Sequence, residues 1–152
     1  MNLKIYSSKT RKKLIEQLRE RYGITEIPKF LFETGKERVR GFAGDLTFDE
    51  LYELDGITNI EFLGLYLFRA DDERSVRLSF DACLLFKEQI TNNIIDIDDE
   101  QLKLWMRGEN LPVAISGGMY IIRHSGDFFG CAVSDGEKLI NFVPKERRIR
   151  KS

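Results

Sequence analysis

The chain has 152 residues, of which 42% are hydrophobic, enough to bury a folded core as one domain or two small ones. Its 24 Lys and Arg balance 25 Asp and Glu, for a formal charge of −1, which excludes a surface coated in positive charge. No apolar run approaches the ~18 residues of a membrane span, and the opening MNLKIYSSK contains no apolar signal core, so no membrane partner is expected.

Taken in chain order, Ser7 or Ser8 caps a helix in which Leu14, Ile15, Leu18 and Tyr22 recur at helical spacing, with Gly23 as terminator. Its outer face gathers Lys9, Arg11, Lys12, Lys13, Arg19 and Arg21. With Glu16 and Glu20 interleaved, this is the pattern of a solvated amphipathic helix, and contact with RNA or a partner is the alternative. Pro28 opens the strand KFLFE, and Gly35, Lys36 and Glu37 turn it into residues 38–42 as a hairpin. Thr47 and Glu50 have the spacing of a capping box, which predicts a short helix through Leu54. Residues 60–70 form the most apolar run. Phe62, Gly64, Tyr66 and Phe68 alternate with Leu63, Leu65 and Leu67, which predicts a central strand buried on both faces. Residues 71–74 read as a polar turn into the strand VRLS, and residues 80–90 as a helix capped near Ser79 or Asp81 and ended by Asn92 and Asn93.

The last third changes pattern. A short strand, residues 94–97, precedes Asp98, Asp99 and Glu100 at the start of a helix carrying Leu102, Trp105 and Met106. Acids there complement the helix dipole, and they lack the glycine and distal glutamate of a calcium loop. Gly108 and Pro112 end the helix. Three β-rich runs follow, residues 119–124, 128–134 and 138–142, separated by Ser-Gly-Asp and Asp-Gly-Glu turns. Phe128 and Phe129, adjacent on a strand, must point to opposite faces, one of them free to cover the N-terminal half or to stack on a base. The chain leaves on Pro144 and the basic tail KERRIRK.

Signals for catalysis are missing. His124, the single histidine, reads as an ordinary strand-end residue, and none of GxSxG, GxxxxGK[ST] or GxGxxG occurs. Cys83 and Cys131 sit in separate apolar runs without a CxxC spacing, which predicts buried free thiols in a reducing, cytoplasmic setting. No enzyme activity, cofactor or metal site is expected.

The motifs WMRGENL, SGGMYIIRH, the FFG of residues 128–130 and DGEKLINFVPKERRI resemble the PUA-like RNA-binding domain at the C-terminus of Sun-family rRNA cytosine-5 methyltransferases. The upstream layout is loosely similar to ribosome-biogenesis proteins that join a small α/β domain to a C-terminal PUA domain. The resemblance implies an α+β protein, with a small α/β N-terminal (pre-PUA-like) domain over residues 1–91 and a PUA-like β pseudo-barrel over 92–152. It also implies a non-catalytic role in rRNA processing, ribosome biogenesis or RNA modification, bound to structured RNA, either rRNA or tRNA, with no DNA expected. A ribosome-processing or RNA-modifying protein is a possible further partner.

The RNA-contacting candidates are Arg107, Gly117, Gly118, Arg123, Lys145, Arg147, Arg148 and Arg150. Gly117 and Gly118 either let the backbone approach RNA closely, as in the resembled domain, or serve a tight turn. Two alternatives stand beside RNA binding: an adaptor that docks on a processing factor, and the detached RNA-targeting subunit of an rRNA methyltransferase.

Overall fold

The N-terminal sheet is organised by a helix that is capped at both ends. The computed structural model describes residues 4–35, 37–57, 64–70 and 76–150; the strand residues 60–63, the turn at 71–74, Lys36 and Lys151 discussed above lie outside them. Helix α1 (Ser8–Tyr22) starts where the Ser7 hydroxyl accepts the Thr10 amide. It stops where Gly23 takes φ 86° and the Gly23 and Ile24 amides reach back to the Arg19 and Leu18 carbonyls. Its inward residues Leu14, Leu18 and Tyr22 are buried. Arg11 turns away from solvent, and its guanidinium donates to the carbonyls of Ile27, Pro28 and Lys29, so it holds the chain entering the next strand.

Five antiparallel strands follow one another in space in sequence order: β1 (Lys4–Ile5), β2 (Phe30–Thr34), β3 (Arg38–Phe42), β4 (Leu65–Ala70) and β5 (Val76–Leu78). The two-residue β1 was not foreseen, because a strand this short has no periodicity to read. Helix α2 (Phe48–Ile57) runs one turn beyond the predicted end and opens on the expected capping box, with Glu50 accepting the Thr47 amide and Thr47 accepting the Glu50 amide. It covers Phe30 and Phe32 on one side of the sheet, while α1 covers Leu31, Val39 and Phe68 on the other.

Strand β4 departs from strict alternation. Val39 pairs with Phe68 and Arg40 with Tyr66, so a bulge at Leu67 puts Leu67 and Phe68 in the same core cluster and leaves Leu65 exposed. Burial on both faces therefore holds only around the bulge. Helix α3 (Phe80–Leu85), capped by the Ser79 hydroxyl, is also shorter than predicted, since residues 86–89 continue as turns.

The second sheet has the order β6 (Ile94–Asp96), β7 (Gly118–His124), β8 (Asp127–Ser134), β9 (Leu139–Asn141). β6 and β7 are parallel, joined through α4 (Asp99–Met106), and the rest are antiparallel. Ser125 and Gly126, both at positive φ, form the two-residue β7–β8 turn between the paired His124 and Asp127. In the next turn the Asp135 carboxylate accepts the Glu137 and Lys138 amides. An isolated bridge from Leu111 to Leu139 extends this sheet beyond β9.

One core spans both sheets. Ile121, Phe128 and Cys131 of β7 and β8 belong to the cluster that contains Leu14, Leu18, Tyr22, Val76 and Cys83. β8 can lie against α3 because Gly130, at a register shift and φ 87°, has no Cβ; one built there would stand 3.0 Å from the Phe80 ring. Phe128 thus covers the N-terminal half, and Phe129 on the opposite side packs at the edge of a second cluster around Trp105. The Trp105 indole N–H donates to the Phe129 carbonyl at 2.7 Å.

Two outcomes follow from this shared core. The buried Tyr22 hydroxyl donates to the Val76 carbonyl at 2.7 Å, so Tyr22→Phe should strand that carbonyl and lower stability by about 1–3 kcal/mol in urea unfolding; a variant as stable as the parent would contradict the bond's role. Cys83 and Cys131 are free and buried, and burial pushes the Cys83 thiol well above its ordinary range and that of Cys131 up to about 11. Both should resist a thiol reagent in the native protein and react together on unfolding, whereas fast labelling in native buffer would show local opening of α3 for Cys83 or of β8 for Cys131.

Candidate functional site

The acidic run before α4 is consumed by structure. Asp98 caps α4 in a full capping box with Gln101, Asp99 Oδ1 lies 2.7 Å from His124 Nε2, and Asp96 grips Arg123 through two bonds of 2.6 and 2.8 Å. Asp96 and Arg123 are direct partners on the parallel strands β6 and β7, so register alone brings them together. Arg123, a candidate RNA contact, is in this structure a bidentate internal partner. Gly117 and Gly118 lie at the other end of β7, roughly 16 Å away for five strand residues. Gly118 has φ 152°, and a Cβ on it would find nothing closer than the Tyr120 ring at 3.9 Å. Glycine is required there by backbone conformation and not by crowding from within.

The basic tail is folded down and not free. Val143 is buried, Pro144 leads into a 3-10 turn over Lys145–Arg147, and the Ile149 amide donates to the Met106 carbonyl at 2.7 Å. Asn141 braces the same corner by donating to the Trp105 and Glu109 carbonyls, the first shared with the Gly108 amide that closes the last turn of α4. Arg148 donates to the Val143 carbonyl at 2.9 Å, and its guanidinium lies over Gly108, where a Cβ would come within 2.5 Å of Nε. Arg147 pairs with Asp81 at 2.7 Å and lies over the Phe80 ring. Lys145, Arg150 and Arg107, the C-cap of α4, are exposed. The fold therefore gathers Arg107, Arg148 and Arg150 at one end of α4, with Lys145 and Arg147 on the adjoining turn. It leaves Gly117, Gly118 and Arg123 elsewhere.

A second set of cations escaped the sequence reading. Arg38 and Arg69 are register partners, as are Arg69 and Arg77, so three arginines form one row across β3, β4 and β5. Arg40 stands two residues from Arg38 and opposite Tyr66. The spacing Arg38–Arg40 was a readable sign of a basic strand face; the row itself depends on the pairing register of β3, β4 and β5, which the sequence does not announce.

The Asp96–Arg123 pair yields a pH expectation. Its hydrogen bonds, above all, hold the Asp96 carboxyl below the ordinary aspartate value. A depressed folded value means stability that is complete above about pH 4 and is lost as pH falls through the lowered value. Asp96→Asn should flatten the acid limb of stability against pH by lowering neutral stability by the same amount the parent loses on acidification, a small one because the pair is solvent-exposed. An unchanged acid limb would show that the pair contributes nothing.

A search of curated proteins finds no match to the chain. Residues 92–149, from just before β6 to just after the 3-10 turn, match the family model of the methyltransferase RsmF PUA domain, so the C-terminal part of the chain is a PUA-like domain of the kind found in Sun-family methyltransferases.

Proposed function

We propose that the protein is a non-catalytic RNA-binding protein of the cytoplasm, acting in rRNA processing or RNA modification. On this reading its C-terminal PUA-like domain, closed as a pseudo-barrel, grips structured rRNA or tRNA. The observation that carries the reading is the match of residues 92–149 to a methyltransferase PUA domain, together with a basic tail pinned against α4. A cation held at a domain surface meets a phosphate with less ordering cost than one on a loose tail. Readout would rest on shape and phosphate contacts, since base-pair edges of an RNA helix are poorly accessible to side chains.

A second reading, an adaptor that docks on a processing protein, draws on α2. Its Phe48, Tyr52, Leu54 and Ile57 are exposed. Isolated apolar side chains on a surface are common, so four of them on one ten-residue helix are the feature that favours a protein partner.

The test is RNA binding by the whole chain at graded salt. Arg147 and Arg148 are poor choices for substitution because each makes an internal bond; Lys145 and Arg150 are exposed. The Lys145→Ala, Arg150→Ala double variant should bind helical rRNA or tRNA fragments more weakly, and the log affinity against log salt slope should flatten by up to ~1.8 if both contact duplex phosphates. Its thermal stability should stay close to the parent's. Absence of binding by the parent at low salt would abandon the RNA reading in favour of the adaptor.

A further inference from the structure

The row Arg38–Arg69–Arg77 is costly. Like charges directly opposite one another on neighbouring strands repel, and here three sit side by side on one face. The fold relieves the repulsion only in part. Glu37 contacts Arg69 at 3.3 Å, Arg38 lies 5.6 Å over the Tyr66 ring, and Arg77 lies 3.8 Å over the Phe142 ring. Among the described residues, one carboxylate and two rings face three guanidinium groups.

The third contact crosses from one sheet to the other. Arg77 belongs to β5, and Phe142 follows β9 in the PUA-like domain, where it remains 37% exposed. Beside this contact is a cleft of about 380 Å³ lined by Arg40, Tyr66, Arg77 and Phe142, and also by Asp81 and Glu146. Asp81 is paired with Arg147 at 2.7 Å, so its charge is offset within the fold. Leu65, exposed and also lining the cleft, adds an apolar floor.

We infer that this cleft and the arginine row beside it form a second RNA-binding surface, which takes a single-stranded segment: phosphates along Arg38, Arg69 and Arg77, and a base stacked beside Tyr66 or on the Arg77–Phe142 pair. The inference rests on the RNA-binding reading above and extends it to the N-terminal sheet. Repelling cations favour a polyanion. Flat groups interleaved with them, two rings and the guanidinium planes, favour one whose bases are free to stack, which in RNA means a single strand and not a helix. Because the cleft is lined from both sheets, it joins the tail of the C-terminal half to the arginine row of the N-terminal half.

The experiment measures fluorescence anisotropy of a ~12-nucleotide oligouridine and of a short RNA duplex against the full chain, over a range of salt. The Arg38→Gln, Arg77→Gln double variant should bind oligouridine roughly tenfold or more weakly, with a salt slope lower by ~1.4, while duplex binding changes far less. Its thermal midpoint should hold or rise, because the like-charge row is broken. A photoreactive 4-thiouridine in the single strand should crosslink to peptides containing Tyr66 or Phe142. If the parent binds duplex and single strand but the variant keeps its oligouridine affinity and slope, this inference fails and the reading above survives. If the parent binds no RNA, both fail. Displacement of oligouridine by polyglutamate of equal charge, as readily as by unlabelled oligouridine, would overturn the single-stranded RNA assignment in favour of an acidic protein segment.

Discussion

The close packing of β8 against α3 and α1 fixes everything else in this molecule. Gly130 removes the Cβ that would strike Phe80, and Phe128 and Cys131 then enter the same core as Leu14, Leu18 and Tyr22. Interiors at this packing density do not slide, so the two sheets hold one arrangement. The edge of the first sheet at Arg77 is thereby set against Phe142 of the second, and Asp81 of α3 is set against Arg147 of the tail. Neither pairing exists within one half of the chain.

Charge in this protein is sorted and not abundant. A total near zero gives no long-range field to draw in a polyanion, so recognition depends on where guanidinium groups are left facing solvent. Several are committed to partners within the fold: Arg11 to three carbonyls, Arg123 to Asp96, Arg148 to the Val143 carbonyl. Others face outward, among them those at the end of α4 with its tail and in the row on β3, β4 and β5. Acidic residues show the same division, with Asp98, Asp96 and Asp135 holding a helix cap, a strand pair and a turn. The DIDDE run is thus part of the scaffold, as the dipole argument anticipated, and it also orients β7 through Arg123 and His124.

The match of residues 92–149 to a methyltransferase PUA domain and the geometry of the tail reinforce one another. In this chain the matched part shares one core with an antiparallel sheet, and a shared core removes the hinge that would let the two halves move independently.

What the sequence determined by itself was local. Ser7 and Gly23 around α1, the Thr47–Glu50 box, the Asp98 cap, the Ser125–Gly126 turn and the two buried thiols each depend on a few neighbouring residues, so composition and spacing were enough. The C-terminal motifs were legible for the same reason, being contiguous. The shorter α3, the longer α2 and the two-residue β1 were not, since tertiary contacts override weak propensity at element ends. The deeper omissions were the bulge at Leu67, the parallel pairing that commits Arg123 to Asp96, and the alignment of Arg38, Arg69 and Arg77. Those depend on register, and a slip of a single residue would turn each side chain to the other face. Only the packed tertiary structure chooses the register, and with it which arginines hold the fold together and which face outward to meet a ligand.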